Sequence, residues 1–208
     1  MKADEIQARI SAYYTDRLQR FGETPQGVDW NSMDAQQVRF SQVLSVAVDD
    51  AQFTINDVGC GYGALINRLD EVPGFRGYTG YDVAPAMVEA ARRRYGTRTD
   101  VRFTSLLEEV ARADYTMASG IFSVKGDVPI EDWARYVRET IDWMATRSRR
   151  GFSFNCLTGF SEPDLMRPDL YYVDPYEMME LCRVRFSRNV ALLHDYGIYE
   201  FTVRVRLN

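Results

Sequence analysis

The sequence is poor in the residues that build metal sites and disulfide frameworks. Its 208 residues include one histidine and three cysteines. Cys60, Cys156 and Cys182 are too far apart for metal-ligand spacing, which argues against a structural zinc site. We therefore expect no metal. Unpaired cysteines are typical of a reducing compartment, and residues 1–10 lack the apolar segment of a secretion signal, so we expect a cytoplasmic protein.

Long apolar runs and blocks of positive charge are also missing. No apolar run approaches the roughly 20 residues of a membrane-spanning helix, so we expect no membrane partner. The formal net charge is −5, and the short arginine clusters at 92–94 and 147–150 fit helix ends facing solvent. We therefore expect no nucleic-acid partner. A chain with 46% hydrophobic residues can bury one domain core, in a monomer or a homodimer.

The predicted elements begin with helices, continue with alternating strands and helices, and end with a hairpin. Apolar periodicity predicts helices over 4–19, 34–47, 62–70, 85–95 and 130–144, and a further helix whose first turn is marked by Asp174, Pro175 and Glu177. Predicted strands cover 53–57, 77–82, 100–104, 114–119 and 151–157, with hairpin strands at 189–195 and 198–207. This order predicts an α/β fold, a Rossmann-like, mostly parallel sheet of seven strands with helices on both faces.

The segment "TINDVGCGYGALI" (54–66) carries the strongest functional signal. Gly59, Gly61 and Gly63 alternate where the first predicted strand turns into a helix, and glycine permits positive φ and close approach of a ligand. The following helix start would favour a carboxylate or a phosphate. "GCGYGA" also satisfies the dinucleotide-binding pattern, and an ordinary tight turn would need glycine too. Asp57 stands before the glycines, where it would disfavour a pyrophosphate and suit an ammonium group.

Asp82 ends the second predicted strand, about 20 residues after the glycines, where an acidic residue can accept hydrogen bonds from ribose hydroxyls. It could equally cap the helix that begins at Pro85. A ligand that combines a ribose, an amine and a carboxylate fits this set better than a dinucleotide does. Such a ligand would bind beyond the carboxyl ends of the strands.

The segments "DVGCGYG" and "YTGYDVAPAMVEAAR" resemble motif I and the following acidic loop of class I S-adenosylmethionine-dependent methyltransferases. The resemblance runs from about Phe53 to the end of the chain and includes "DYTMASGIF". In that family the closing hairpin places one antiparallel strand between two parallel ones. The resemblance implies a single methyltransferase domain, with residues 1–50 as an N-terminal helical lid and 51–208 as the cofactor-binding core, and S-adenosylmethionine as cofactor.

The resemblance also assigns cofactor contacts by position. The amino group of the methionine would lie near Asp57, the ribose at Asp82, the adenine beside Val83 and Met87, and the transferred methyl near Ser119. The implied contacts are Asp57, Gly59, Cys60, Gly61, Gly63, Asp82, Val83, Met87, Ser119 and Gly120. One family feature is missing, the aspartate after the third strand that meets the adenine amine. Ser105 or Leu106 stands in that region, and backbone groups could serve instead.

Candidate acceptor-site residues follow from position in the predicted sheet. His194 ends the sixth strand, which we expect to run parallel to the first five, and its ordinary pKa suits a general base. Asn155 ends the fifth strand and could orient an acceptor, although either residue could simply be structural. Tyr14, Trp30 and Tyr172 could contact cofactor or acceptor, or pack in the core.

We predict a methyltransferase that acts on an oxygen or nitrogen atom of a small-molecule acceptor. The elements outside the core are too short for a macromolecule-binding domain, and "ASGI" replaces the "NPPY"-like tetrapeptide of enzymes that methylate amino groups of nucleic acids or glutamine. Three alternatives stay open. They are a non-methylating enzyme that uses the same cofactor, for example for cyclisation, a non-catalytic cofactor-binding module, and a nicotinamide-dependent oxidoreductase, which at this length would lack its substrate domain.

Overall fold

The computed structural model describes residues 1–30 and 32–207. Its helices are α1 (Ala3–Phe21), α2 (Met33–Leu44), α3 (Leu65–Leu69), α4 (Pro85–Tyr95), α5 (Ile130–Thr146) and α6 (Pro175–Arg185). Short 3-10 turns lie at Pro25–Val28, Leu107–Glu109 and Pro163–Leu165. Its strands are β1 (Phe53–Val58), β2 (Phe75–Tyr81), β3 (Val101–Thr104), β4 (Ala113–Ala118), β5 (Ser148–Thr158), β6 (Tyr172–Val173), β7 (Val190–Leu193) and β8 (Glu200–Arg206).

The strands form one mixed sheet in the order β3-β2-β1-β4-β5-β8-β7. Strands β1 to β5 are mutually parallel, and β8 lies antiparallel to both of its neighbours, β5 and β7. This confirms the predicted mostly parallel sheet with a closing hairpin. Strand β7 runs in the direction of the first five, as the sequence predicts. The sequence pattern does not predict β6, a two-residue strand that pairs with the end of β5.

Buried apolar side chains form two clusters, one on each face of the sheet. The first contacts α2, α3 and α4, and the second contacts α5, α6 and the start of α1. Neighbouring residues on one strand enter different clusters, as with Met117 and Ala118 of β4, because successive side chains of a strand point to opposite faces. Helices therefore cover both faces and leave the carboxyl ends of the strands as the place for a ligand.

Local chemistry explains where two helices begin. Helix α4 starts at Pro85, whose ring is favourable at the first helical position. Asp174 caps α6, since its Oδ1 accepts from the N–H groups of Tyr176 at 2.8 Å and Glu177 at 3.4 Å. The helix predicted over 62–70 is wrong at its start. It begins only at Leu65, because Gly63 has a φ of 82°, which an α-helix cannot contain.

Helix α1 is attached to the domain at both ends. The amino group of Met1 contacts Asp132 Oδ2 at 2.6 Å. At the other end, Tyr13 donates to Asp29 Oδ2 at 2.8 Å, and Arg17 pairs with Asp29 Oδ1 at 2.9 Å. Among the described helices, none combines the length and apolar character that crossing a membrane would require.

Candidate active site

A cavity of about 250 Å³ lies at the carboxyl ends of β1, β2 and β4 and is covered by residues of α1. Parallel sheets of this topology bind ligands at that edge. Nine of the ten cofactor residues expected from the sequence line it: Asp57, Gly59, Cys60, Gly61, Asp82, Val83, Met87, Ser119 and Gly120. The described residues that line the cavity include carboxylates, tyrosines and tryptophans but no lysine, arginine or histidine.

Gly63 is the expected cofactor residue that does not line the cavity. Its φ of 82° lies in the left-handed region, and a Cβ there would lie 3.0 Å from the ring of Tyr95 and 3.3 Å from that of Phe103. Gly63 therefore lets the turn pack against α4. Gly61 has a φ of 54° and faces Val28, which belongs to the N-terminal segment.

The amide groups of the glycine loop already have partners inside the protein. The N–H groups of Gly59 and Cys60 donate to the carbonyl of Tyr81 at 2.8 and 3.1 Å. Gly61 N donates to Asp82 Oδ2 at 2.8 Å, and Gly63 N donates to the carbonyl of Cys60. These four amides are therefore not free to donate to a carboxylate or phosphate. A pyrophosphate, as in a dinucleotide, would find few donors here.

Asp82 combines the two roles that its position suggests. Its Oδ2 accepts from Gly61 N at 2.8 Å and its Oδ1 from Ala84 N at 2.9 Å. Burial raises the pKa of this carboxyl to about 6, although both backbone bonds act in the opposite direction. A carboxylate offers about four lone-pair sites, so each oxygen can still accept from a ligand hydroxyl.

Asp57 is buried beside the glycine loop, with 4% of its surface exposed. Its Oδ2 accepts from the hydroxyl of Tyr78 at 2.7 Å. Burial raises the pKa of Asp57 to about 7, and the charge of Asp82 acts in the same direction. Burial also raises the pKa of the neighbouring Cys60 thiol, which donates to the carbonyl of Gly61 at 3.5 Å and therefore stays protonated. A cationic ligand group would favour the charged forms of both aspartates.

The turn after β4 supplies a hydroxyl that lacks a protein partner. Ser119 Oγ is buried and makes no hydrogen bond with the described residues. An unsatisfied buried donor costs roughly 1–3 kcal/mol, so its position in a cavity wall points to a ligand. Gly120 follows with a φ of 79°, and a Cβ there would lie 2.3 Å from the ring of Trp30.

One face of α5 forms a wall that sequence reasoning missed. Tyr136, Glu139, Thr140 and Trp143 line the cavity and follow the i, i+3, i+4, i+7 spacing of one helix face. The apolar positions of α5 give a stronger pattern in the sequence than this second face does, although the same helical spacing could have identified it. After β3, Leu107 lines the cavity, whereas Ser105 and Leu106 do not.

Only some of the predicted acceptor-site residues line the cavity. Tyr14 and Trp30 line the cavity, and burial raises the pKa of the Tyr14 hydroxyl. Tyr172 lies outside the lining, and its hydroxyl accepts from Arg167 N at 3.1 Å. His194 is exposed, and its ring lies 5.9 Å from that of Phe160.

Asn155 also lies outside the cavity lining, directly behind the turn that follows β4. Its Oδ1 accepts from Gly120 N at 2.7 Å, and its Nδ2 donates to Glu200 Oε2 at 2.7 Å. The structure therefore places neither Asn155 nor His194 within the surface of the cavity. The expectation that strand order would bring both side chains to the ligand is not met in this arrangement.

Comparison with known proteins decides the family. The family model described as "Methyltransferase domain" matches residues 55–146. A curated relative from Mycobacterium tuberculosis (strain ATCC 25618 / H37Rv), named "Putative methyltransferase Rv1506c", is 50% identical over 155 residues. That match covers 74% of this chain and 93% of the relative. The chain is a class I S-adenosylmethionine-dependent methyltransferase.

Solved structures show the same fold for the methyltransferase. Magnesium protoporphyrin IX methyltransferase from Synechocystis PCC 6803, with bound S-adenosylmethionine, has a TM-score of 0.66 at 15% identity and covers 100% of this chain and 98% of its own. Human N-acetylserotonin methyltransferase, also with S-adenosylmethionine, has a TM-score of 0.66 at 16% identity, covering 100% of this chain and 60% of its own. These likenesses confirm the predicted fold. S-adenosylmethionine is the cofactor of the family to which the chain belongs.

The lining of the methyltransferase cavity fits that cofactor. Asp57 and Asp82 suit an amine and hydroxyl groups, and the unpartnered Ser119 hydroxyl is a further polar contact. At Gly59 and Gly61 the glycine loop presents backbone without side chains to the cavity. The N–H groups of the loop are hydrogen-bonded within the protein. A sulfonium nucleoside carries no pyrophosphate, and its ammonium group and ribose hydroxyls can donate to the carboxylates of Asp57 and Asp82 in this lining.

Proposed function

We propose that this methyltransferase transfers the methyl group of S-adenosylmethionine to an oxygen or nitrogen atom of a small-molecule acceptor. The observation that carries the proposal is the cavity, whose lining includes Asp57, Asp82, residues of the glycine loop, Tyr14 and Trp30. Its volume of about 250 Å³ lies near the lower end of ligand pockets, which hold roughly 300–1,000 Å³. A concave site of this size suits a small acceptor better than a macromolecule.

Each part of the cavity then has a role toward the cofactor. Asp82 accepts hydrogen bonds from the ribose hydroxyls, and Asp57 lies toward the amino group. Val83, Met87 and Leu107 pack around the adenine. When bound, the cofactor supplies an activated methyl group on its sulfonium. The protein's own task is to exclude water and hold the acceptor in line, which can contribute roughly 7–11 kcal/mol.

The charge of the lining favours a neutral or cationic acceptor. Asp57, Asp82 and Glu139 contribute carboxylates, and the described lining contains no cationic side chain to pair with an anion. Its aromatic walls, which include Trp30 and Trp143, suit an acceptor with an apolar ring. The named substrates of two solved neighbours, magnesium protoporphyrin IX and N-acetylserotonin, are small molecules with rings.

The proposal assigns no general base. His194 and Asn155 lie outside the cavity lining, so alignment and water exclusion have to supply most of the acceleration. A neutral amine acceptor needs no proton removed before the methyl arrives, whereas a hydroxyl acceptor would need one of the buried carboxylates. Asp57 has a raised pKa of about 7 in the ligand-free protein, but the amino group of the bound cofactor would favour its charged form, so we assign it no proton-transfer role.

The test uses S-adenosylmethionine with a labelled methyl group and two fractions of the cells that make the protein, a small-molecule extract and the protein and nucleic acid separated from it. We expect the label in a low-molecular-weight product with the wild type and a loss of that product with Asp82→Asn. Asp100→Asn, at a partly exposed residue paired with Arg98, is the matched control. Label found only in protein or nucleic acid, or a new product without label, would overturn the proposal.

A further inference from the structure

Glu200, the first residue of β8, connects two elements behind the cavity wall. Its side chain is 2% exposed. Oε1 accepts from Arg39 Nε at 2.8 Å and Nη2 at 2.6 Å, and Oε2 accepts from Asn155 Nδ2 at 2.7 Å. Both carboxylate oxygens are therefore used, one toward α2 and the other toward β5.

These contacts end at two neighbouring points of the cavity wall. Asn155 Oδ1 accepts from Gly120 N at 2.7 Å, and the Arg39 guanidinium lies over the ring of Trp30, 4.1 Å from its centroid. The Trp30 ring in turn covers Gly120. The five residues therefore form a closed circle of contacts, which we call the Glu200 ring.

The amide orientation of Asn155 follows from its partners. Gly120 offers only an N–H donor on that side, and a carboxylate offers only acceptors, so Oδ1 must face Gly120 and Nδ2 must face Glu200. Arg39 is equally specific, because a planar guanidinium can pair with a carboxylate and stack on an indole at once, which an ammonium cannot. The Glu200 ring thus fixes orientations as well as distances.

We propose that Glu200 is a positioning residue that holds Trp30 through Arg39, and Gly120 through Asn155, and so sets the wall of the cavity beside Ser119. This inference rests on the proposed function. A buried ion pair is a weak source of stability, since apolar residues of similar size are often as good. The effect of the Glu200 contacts is to fix the orientation of Trp30 and Gly120, two groups of the cavity wall that are far apart in the sequence. Asn155 connects Glu200 to Gly120, because both its Oδ1 and its Nδ2 are hydrogen-bonded.

The test compares Glu200→Gln with the wild type after 5-fluorotryptophan labelling and ¹⁹F NMR. The protein has three tryptophans, and Trp30→Phe assigns the resonance of Trp30. In Glu200→Gln we expect the Trp30 resonance to shift or broaden while that of the buried Trp133 stays in place. Calorimetry should show the Kd for S-adenosylhomocysteine rising roughly tenfold, a coupling typical of hydrogen-bonded networks.

Arg206→Gln is the matched control, because Arg206 lies on the same strand and pairs with the exposed Asp49 at 3.0 Å, away from the cavity. If Glu200→Gln does not fold, Arg39→Lys keeps the charge and should still move the Trp30 resonance. An unmoved Trp30 resonance, with a Kd within twofold of the wild type in a folded variant, would overturn the inference. Failure of the wild type to bind S-adenosylhomocysteine would instead refute the proposed function, and the Trp30 resonance would still decide the role of Glu200.

Discussion

Each carboxylate oxygen of Asp82 accepts one hydrogen bond from the backbone and can accept a further one from a ligand. In Asp82→Asn an NH2 group replaces one carboxylate oxygen, and this group cannot accept from the N–H of Gly61 or Ala84 or from a ribose hydroxyl. We expect the binding of S-adenosylhomocysteine to weaken by about 2–3 kcal/mol, roughly 30- to 150-fold in Kd. Isothermal calorimetry measures this directly. An unchanged Kd in a folded Asp82→Asn protein would contradict the role assigned to this residue.

Asp57 and Asp82 should make the ligand-free protein less stable as the pH rises. Their pKa values are raised from 3.8 to about 7 and about 6. A carboxyl with a raised pKa contributes stability that is fully present below its unfolded pKa and is lost as the pH rises through its folded pKa. We therefore expect the free energy of unfolding to fall by a few kcal/mol between about pH 4 and pH 8.

Urea unfolding at a series of pH values checks this, with Asp57→Asn as the informative variant. Asparagine has nearly the same size and does not titrate, so the variant should show a flatter pH dependence and higher stability than the wild type near pH 8. Asp50→Asn serves as a control, because the bonds from Tyr115 and Arg150 lower the pKa of Asp50. Equal pH slopes for wild type and Asp57→Asn would contradict the assignment.

His194 illustrates what residue-level reasoning from the sequence leaves out. It lies directly after β7 and on a strand with the predicted direction. However, the cavity lies over β1, β2 and β4, and β7 is the edge strand, three places from β4. Position along the chain gives the end of a strand but not the distance across the sheet.

Among the elements, those with strong local signals are predicted well. Pro85 and Asp174 mark the starts of α4 and α6 because ring geometry and side-chain capping act within one turn. Strand β6 has only two residues, too few for any period, and its pairing with β5 depends on tertiary contacts. The cavity-facing side of α5 is missed because Tyr136 and Thr140 also read as an ordinary surface face.

Helix α1 covers the cavity, and we propose that it acts as a lid. It contributes Ala3, Gln7, Ile10 and Tyr14 to the cavity. Its polar attachments are made by Met1, Arg9, Tyr13 and Arg17 to Asp132, Asp127 and Asp29. We expect the amides of Ala3–Phe21 to exchange hydrogen more slowly with S-adenosylhomocysteine present, because ligand binding favours the closed state. Hydrogen-exchange mass spectrometry measures this.

Helix α6 provides the internal control for that experiment, since none of its residues lines the cavity. Protection should be greater in the glycine loop, α1 and the turn after β4 than in Pro175–Arg185. Equal protection of α1 and α6 would indicate a general stabilisation, and unchanged exchange in α1 would argue against a lid.

At the scale of the whole molecule, the sequence predicts the sheet and its helices better than the placement of the N-terminal residues over the cavity. Alternating strands and helices leave few topologies for a parallel sheet, so the sheet with its hairpin is predicted from pattern and resemblance. Residues 1–50 carry no such alternation. Their placement over the cavity depends on contacts such as Met1 with Asp132 and Gly120 with Trp30, which join residues far apart in the sequence.

Binding of the cofactor product should be visible in the unfolding of the whole domain. At a concentration of S-adenosylhomocysteine of 100 times Kd, the native state gains about 2.7 kcal/mol. For a domain of this size, about 1 kcal/mol corresponds to a Tm shift of 2–4 °C, so we expect an increase of roughly 5–10 °C. Differential scanning calorimetry measures it, with NAD as the control ligand. A larger shift with NAD would favour an oxidoreductase.

Strand β8 comes last of the strands along the chain, yet it lies between β5 and β7. Until β8 inserts, the long strand β5 presents an unpaired backbone edge, which can template pairing with another chain. Refolding from denaturant should therefore compete with aggregation, so that yields fall as protein concentration rises. Recombinant production would gain from slow expression at low temperature, because incompletely folded chains with that exposed edge would then meet one another less often.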